Sequence, residues 1–217
     1  MVKIKICGIK NVEDAVAACG YGADYLGFIF VEGTPRFMGV EGTLSVARKI
    51  PVGARRNVRL VGVFKDMEPG EVAESAIAAG LDAVQLQGVE TPGDCAFIKE
   101  RAEVLISKAF KVDGRGRITG PGVPVDYDTC DYFVFDTFHP EMSGGTGDAF
   151  DWEMFAEVPG IDTKPFFVAG GLVPGNVARA VRALKPYGVD VSSGIETFIG
   201  KKDIKLLEEF IKNAKTA

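Results

Sequence analysis

The sequence predicts a (β/α)8 TIM barrel, because strand-like and helix-like segments alternate along almost its whole length. Eight short runs are apolar or alternating, and each ends at a glycine, a proline or a small polar residue, as buried strands do. Most of them are separated by stretches with helical spacing. At 217 residues, 47% of them hydrophobic, the chain can bury one such barrel, so we expect a single domain over residues 1–217. A doubly wound open sheet is the alternative architecture for this alternation.

The individual elements follow from their local patterns. The predicted strands are KIKIC, YLGFIF, RLVGVF, AVQLQ, VLISKAF, YFVFDT, FFVAG and VDVSS. The predicted helices are NVEDAVAACG, LSVARKI, EVAESAIAAG, DCAFIKERA, PGNVARAVRALK and KDIKLLEEFIKNAK. The first helix is predicted to begin after an Asn11 cap and to end at Gly20. The segment KVDGRGRITGPGVPVDYD, after the fifth strand, is too rich in Gly and Pro for a good helix and predicts an irregular crossover.

Composition and charge exclude several classes of partner. The formal net charge of −5 argues against nucleic acid or an anionic membrane surface, which are bound by clustered Lys and Arg. The N-terminus MVKIKICGIK has no apolar segment of signal-peptide length, and the longest apolar run, YLGFIFV, is too short to cross a bilayer. We therefore expect a cytoplasmic protein. The four cysteines are scattered, without the paired spacing of a zinc or redox site, and we predict no metal ion.

Polar residues at the carboxyl ends of the predicted strands are the candidates for chemistry, since active sites of TIM barrels lie there. Alternation along the first strand puts Cys7 on the same face as Lys3 and Lys5, opposite the apolar Ile4 and Ile6, so that Cys7 points inward. By the same alternation, the inward polar set also contains Gln85, Gln87, Asp136, Asp190 and Ser192. The predicted mouth of the barrel is thus lined by a thiol, amides and carboxylates.

Two glycine-bearing turns follow the last two predicted strands, and together they resemble the phosphate site of TIM barrels. Gly170, Gly171 and Gly194 allow a close approach of the backbone to an anion, and Ser193 adds a hydroxyl donor. The glycine-rich loop at residues 143–147 is a third candidate, although its glycines also suit a mobile lid. We expect a phosphorylated small molecule as the ligand.

Several short motifs occur in a characteristic order: KICGI at the N-terminus, TPR at 34–36, VQLQG at 84–88, FDT followed by GGTG and FDW, AGGL at 169–172, and VDVSSGIE followed by KD. With these motifs the chain resembles the phosphoribosylanthranilate isomerases of tryptophan biosynthesis over essentially its whole length. The resemblance implies an Amadori rearrangement of N-(5-phosphoribosyl)anthranilate to 1-(2-carboxyphenylamino)-1-deoxyribulose 5-phosphate, without a metal or organic cofactor. It also implies that Asp136 is the general acid, Cys7 the general base, and Arg36 the partner of the anthranilate carboxylate. Gln85 joins the glycine turns in the predicted substrate-binding set.

The residues around the two catalytic candidates suit these roles. Opening the sugar ring needs a proton on the ring oxygen, and forming the enolamine needs removal of a proton from the second carbon, so an acid and a base are required on opposite sides of the sugar. Phe133, Phe135 and Phe138 flank Asp136 in the sequence, and we expect them to keep its carboxyl poorly solvated and neutral. We expect Cys7, close to Lys5, to have thiolate character.

Some positions differ from the family pattern. Gln87 stands where a histidine is common, and Asp148 where a basic residue is frequent. We interpret His139, the only histidine, as a surface or lid residue, because its place in the loop has no counterpart in the motifs.

Three alternatives remain open on the sequence alone. An epimerase on this fold would need metal-binding histidines, and the chain has one histidine. The related histidine-pathway isomerase would need a glycine phosphate turn after the third or fourth strand, where this chain has FKDMEPG and LQGVETPG. A noncatalytic phosphate-ligand binding protein would bind its ligand without needing Cys7 or Asp136. We expect a monomer or a homodimer.

Overall fold

Eight parallel strands close into a barrel, which confirms the predicted fold class. The computed structural model describes residues 1–113, 116–136, 158 and 160–217. The barrel strands are β1 (Lys3–Cys7), β2 (Tyr25–Ile29), β3 (Arg59–Phe64), β4 (Ala83–Leu86), β5 (Leu105–Val112), β7 (Tyr132–Asp136), β8 (Phe166–Ala169) and β9 (Gly188–Val191). Neighbours pair in the order β4-β3-β2-β1-β9-β8-β7-β5, and the pairing of β4 with β5 closes the ring. The first and last barrel strands therefore lie side by side.

Helices cover the outside of the barrel. They are α1 (Val12–Tyr21), α2 (Gly39–Ala47), α3 (Val52–Arg55), α4 (Pro69–Ala79), α5 (Pro92–Ala102), α6 (Pro174–Leu184) and α7 (Ile204–Lys215). The predicted cap of α1 is confirmed, because the side chain of Asn11 accepts a hydrogen bond from Asp14 N at 2.8 Å. The helix ends at a left-handed Gly22 rather than at Gly20, and α2 begins several residues before the predicted LSVARKI. Within the described ranges, no helix has both the length and the apolarity needed to span a bilayer.

The crossover after β5 is irregular, as predicted. β5 runs on past the barrel and forms an antiparallel pair with a two-residue strand, β6 (Ile118–Thr119), and a single 3-10 turn (Pro124–Asp126) follows before β7. The next crossover falls mostly outside the described residues, and so do His139 and the glycine-rich loop at 143–147. A short antiparallel hairpin of β10 (Glu196–Phe198) and β11 (Lys201–Lys202) follows the last barrel strand.

The side chains of β7 divide between the barrel interior and the helix layer. Val134 packs inside the barrel with Tyr25 and Phe167. Phe133 and Phe135, both 0% exposed, belong instead to the large core between the strands and the helices. The expectation that these two rings surround the Asp136 carboxyl was wrong, because successive residues of a strand point to opposite faces.

Three aspartates join neighbouring strands at the amino-terminal end of the barrel. Asp24, Asp82 and Asp131 each precede a barrel strand and accept a hydrogen bond from a backbone N–H of the preceding strand. Each also binds a basic side chain. The three sets are Asp24 with Ile4 N and Lys3, Asp82 with Leu60 N and Arg55, and Asp131 with Ile106 N and Lys99. This end of the barrel is therefore built for stability, as is usual for the fold.

Candidate active site

A cavity of about 350 Å³ opens at the carboxyl ends of the barrel strands. Six of the eight residues predicted for the site line it: Cys7, Arg36, Asp136, Gly170, Gly171 and Ser193. Residues more than 180 positions apart meet here because the fold brings the ends of all the parallel strands to one face. The cavity thus holds a thiol, a carboxyl group and two glycine turns together.

Cys7 is the last residue of β1 and is 7% exposed. Its Sγ fits against Gly27 of β2, where an added Cβ would come within 2.8 Å of the sulfur. Burial raises the pKa of the Cys7 thiol above its ordinary value; the positive charges of Lys5 and Lys202 oppose the rise, and the carboxylate of Asp190 adds to it. This direction is opposite to the expected thiolate character, because the sequence showed the neighbouring lysine but not the desolvation.

A buried ion pair lies inside the barrel next to Cys7. Lys5 Nζ donates to Asp190 Oδ2 at 2.6 Å, and the two residues are 2% and 6% exposed. Burial favours the neutral form of Lys5, but the charges of Asp190 and Cys7 outweigh it and raise the pKa of the lysine. Lys5 is therefore a fixed cation. It favours the thiolate of Cys7 whenever that thiolate forms.

The fourth strand presents Gln87 rather than Gln85 to the cavity. Gln85 is 1% exposed, and neither of its amide atoms has a hydrogen-bond partner among the described residues. Gln87 follows the end of β4 and lines the cavity. Both side chains share the inward face, as predicted, but Gln85 lies one layer deeper in the barrel.

Arg36 lines the cavity, and one edge of its guanidinium group is hydrogen-bonded to Glu196. Its Nε and Nη2 donate to the two carboxylate oxygens of Glu196 at 2.9 and 2.6 Å. Glu196 also accepts from Lys202 Nζ at 3.0 Å, and Lys202 donates to Ser192 O at 3.0 Å. An arginine has five N–H groups, so two bonds to Glu196 leave the Nη1 side of the fork for a second acceptor.

The two glycine turns after β8 and β9 meet at the cavity. Gly170 and Gly171 have φ values of +87° and +63°, which side-chain-bearing residues rarely adopt. Gly194 does not itself line the cavity, but a Cβ there would collide with the carbonyl oxygen of Leu172 in the other turn. Glycine at this position is thus required for the close packing of the two turns, next to Ser193 and the start of α6.

The loops after β3 and β4 form one wall of the cavity, and the sequence did not predict the part that Lys65 takes in it. Lys65 lines the cavity directly after β3, and its neighbour Asp66 is linked to the fourth loop. Asp66 Oδ1 accepts from Val89 N at 2.7 Å, while Glu90 accepts from Asp66 N and Lys108 Nζ at 2.9 and 2.7 Å. The one sequence feature that pointed to Lys65 was its position at the end of a predicted strand. A lysine at such a position is usually a solvent-exposed surface residue, so it was not predicted to belong to the site.

Metal ligands are not clustered in the described part of the chain. No group of three or more His, Cys, Asp or Glu side chains there lies close enough together to hold an ion.

A matching family model and the relatives that are similar in sequence indicate one enzyme family. The family model described as N-(5'phosphoribosyl)anthranilate (PRA) isomerase matches residues 4–213. The N-(5'-phosphoribosyl)anthranilate isomerase of a Geobacter species is 42% identical over 99% of this chain and 98% of the relative. That of Rubrobacter xylanophilus is 40% identical over 100% of both chains.

Solved structures agree. The crystal structure of phosphoribosyl anthranilate isomerase from Thermotoga maritima has a TM-score of 0.83 and 37% identity, and covers 100% of both chains. A phosphoribosyl anthranilate isomerase in complex with reduced 1-(o-carboxyphenylamino)-1-deoxyribulose 5-phosphate has a TM-score of 0.80 and 35% identity, again over 100% of both. On the family match, the identity and the full coverage, the chain belongs to the N-(5'-phosphoribosyl)anthranilate isomerase family.

Proposed function

We propose that Cys7 and Asp136 are the general base and the general acid of the Amadori rearrangement in this cavity. As a member of its family, the chain is an isomerase of N-(5'-phosphoribosyl)anthranilate. The observation that supports the assignment is that one cavity is lined by both groups and by two kinds of anion-binding element. The product is the aminoketose 1-(2-carboxyphenylamino)-1-deoxyribulose 5-phosphate.

The two groups approach the sugar from different parts of the barrel mouth. Cys7 ends β1 and Asp136 ends β7, and β8 and β9 lie between these strands in the ring. Asp136 gives its proton to the ring oxygen as the bond from that oxygen to the first carbon breaks, which leaves an iminium ion. The thiolate of Cys7 then takes the proton of the second carbon, and the resulting enolamine becomes the ketone.

Cys7 must lose its proton before it can act as the base. Its raised pKa makes the thiolate a minor form at neutral pH. The fixed charge of Lys5 lowers the cost of forming that thiolate inside the barrel. The rate of the chemical step should therefore reflect the small fraction of molecules that carry the Cys7 thiolate together with a protonated Asp136.

The two anions of the substrate have separate places. The phosphate lies against the backbone of Gly170 and Gly171 and the hydroxyl of Ser193, at the amino-terminal side of α6. Gly194 supports this site by allowing the two turns to pack closely. The anthranilate carboxylate binds the Nη1 side of Arg36, whose other side Glu196 holds in place. Gln85 has no part in the proposal, because its side chain is buried beneath the cavity.

We further propose that residues 1–217 act as one domain. The pairing of β1 with β9 joins the two ends of the chain, and Lys3 N donates to Tyr187 O at 2.9 Å beside that pair. Lys215 Nζ also donates to Gly22 O, next to α1. Truncation at either end would therefore open the barrel.

The activity is tested by generating N-(5'-phosphoribosyl)anthranilate in situ and following its disappearance with and without the purified chain. We expect disappearance that depends on the protein and that slows sharply in Cys7→Ser. A rate equal to the uncatalysed background would refute the activity, whereas full activity in Cys7→Ser would refute only the role of the thiol.

A further inference from the structure

We propose that Lys65 is a specificity-determining residue, whose ammonium group binds the anthranilate carboxylate together with Arg36. The inference rests on the proposed function, since it assigns a second partner to an anion of the same substrate. Nothing in the acid–base chemistry needs a lysine at this place, so its role would be recognition.

Among the described residues that line the cavity, Lys65 is the cation whose charge is least neutralised by a nearby carboxylate. Arg36 is held by Glu196 through two short hydrogen bonds. The nearest described carboxylate to Lys65 is that of Asp66, at 4.0 Å, and the lysine side chain is 51% exposed. An ammonium group at this distance from its neighbour can bind an incoming anion without first breaking a hydrogen-bonded ion pair.

Lys65 lies on the wall next to Arg36. Arg36 belongs to the loop after β2, and Lys65 directly follows β3, which pairs with β2 in parallel. Phe30 N donates to Val63 O at 2.9 Å, so the pairing extends to the edge of the mouth. The glycine turns lie after β8 and β9, beyond β1 in the ring. A substrate held there by its phosphate would extend its aromatic end toward these two cations.

The backbone around Lys65 is fixed by a buried ion pair that is otherwise unexplained. Glu90 and Lys108 are 5% and 1% exposed, and their charged atoms lie 2.7 Å apart. Glu90 also accepts from Asp66 N and from Gly88 N, each at 2.9 Å, and Lys108 Nζ donates to Gly88 O at 2.6 Å. The pair therefore joins the third and fourth loops immediately behind the cavity wall.

The turn after Lys65 is also conformationally specific. Asp66 has a φ of +53°, which is uncommon for a residue with a side chain, and its carboxylate accepts from Val89 N. A buried ion pair is costly to desolvate and is weak evidence for stability alone. Its effect here is to hold the backbone that carries Lys65, which lowers the ordering cost when a carboxylate binds.

The test measures binding by isothermal titration calorimetry. One ligand is the reduced product analogue, which keeps the aromatic carboxylate; the other is the same compound without that carboxylate. Lys65→Met removes the charge, and Lys49→Met is the matched control, because Lys49 is an exposed lysine outside the cavity lining. Lys65→Arg restores the charge at the same position.

We expect Lys65→Met to weaken binding of the carboxylate ligand about three- to fivefold, the upper range for a partly exposed ion pair, and to leave binding of the other ligand unchanged. Lys65→Arg should recover most of the loss, and Lys49→Met should show none. In turnover, the Michaelis constant should rise while kcat stays nearly constant, as for a contact made equally in ground and transition states.

Equal losses for the two ligands, or no loss for either, would overturn the role of Lys65. If the wild-type chain itself failed to distinguish the two ligands or to turn over the substrate, the proposed function would fail first. The inference about Lys65 alone fails when the wild-type chain discriminates and Lys65→Met discriminates equally well.

Discussion

Asp136→Asn is the most direct test of the acid chemistry. The asparagine keeps the size of the side chain and the pairing of β7, in which residue 136 lies opposite Lys111 of β5 and Ala169 of β8. It cannot give an acid proton to the ring oxygen. General acid catalysis accounts for about 10²- to 10⁴-fold in rate. Such a loss is a barrier increase of about 2.7 to 5.4 kcal/mol.

The fold should tolerate this change, because Asp136 is half-buried at the open end of its strand. We therefore expect kcat to fall by at least about 10²-fold while the free energy of unfolding changes by less than about 1 kcal/mol. The assay is steady-state turnover on substrate made in situ, with urea denaturation of the same samples.

The control is Asp131→Asn, which removes a carboxylate from the opposite end of the barrel. Asp131 binds Ile106 N and Lys99, so this variant should lose stability but keep kcat. Near-normal turnover by Asp136→Asn, or an equal kcat loss in Asp131→Asn, would refute the reasoning and leave Asp136 as a structural residue.

Three further predictions follow from the site. Because catalysis needs the Cys7 thiolate together with the protonated Asp136 carboxyl, the pH profile of kcat/KM should be bell-shaped, and the raised pKa of Cys7 should keep its alkaline limb above about 8.5, where an ordinary thiol titrates; a fall in kcat/KM that begins below neutrality would contradict a buried thiol as the base. Arg36→Ala should weaken carboxylate ligands by about 2 kcal/mol, or roughly 30-fold, and spare an analogue without the carboxylate, as measured by calorimetry; equal losses would remove Arg36 from that role. Lys108→Met leaves Glu90 buried without its counter-ion and should lower the free energy of unfolding by about 3 to 5 kcal/mol in urea titrations, whereas a change below about 1 kcal/mol would mean that water reaches the carboxylate.

The sequence was sufficient for the barrel and for the main composition of the site. The period-2 and helical patterns located the strands, and their order implied that Cys7 and Asp136 end strands at the same face. The glycine turns were recognisable because positive φ and close approach demand glycine at specific places, as at Gly171 and Gly194. These are local properties, or consequences of topology.

What the sequence could not show depends on contacts across the fold. The hydrogen bond between Arg36 and Glu196 joins residues 160 positions apart, so no local sequence pattern predicts it. The direction of the Cys7 pKa shift depends on desolvation by the whole barrel interior. Gln85 and Gln87 lie on the same face of the fourth strand, so alternation cannot distinguish them. Their depths within the barrel differ, and for this reason Gln85 is buried while Gln87 lines the cavity. The misplacement of Phe133 was avoidable, since alternation already assigned it to the outer face.

The aspartates at the amino-terminal end add a side-chain bond to three of the eight strand pairs of the barrel. Asp24 bonds β1 to the start of β2, Asp82 does so for β3 and β4, and Asp131 for β5 and β7. In the part of the chain that the structure describes, no aspartate makes such a bond for β8 and β9, the pair whose loops carry the phosphate turns. These two strands also pair at two positions, fewer than in any other neighbouring pair of barrel strands. Native-state hydrogen exchange should therefore find the lowest opening free energy between β8 and β9. The bound phosphate, rather than the protein alone, would then make this strand pair rigid. The substrate would thus stabilise the barrel as well as react in it.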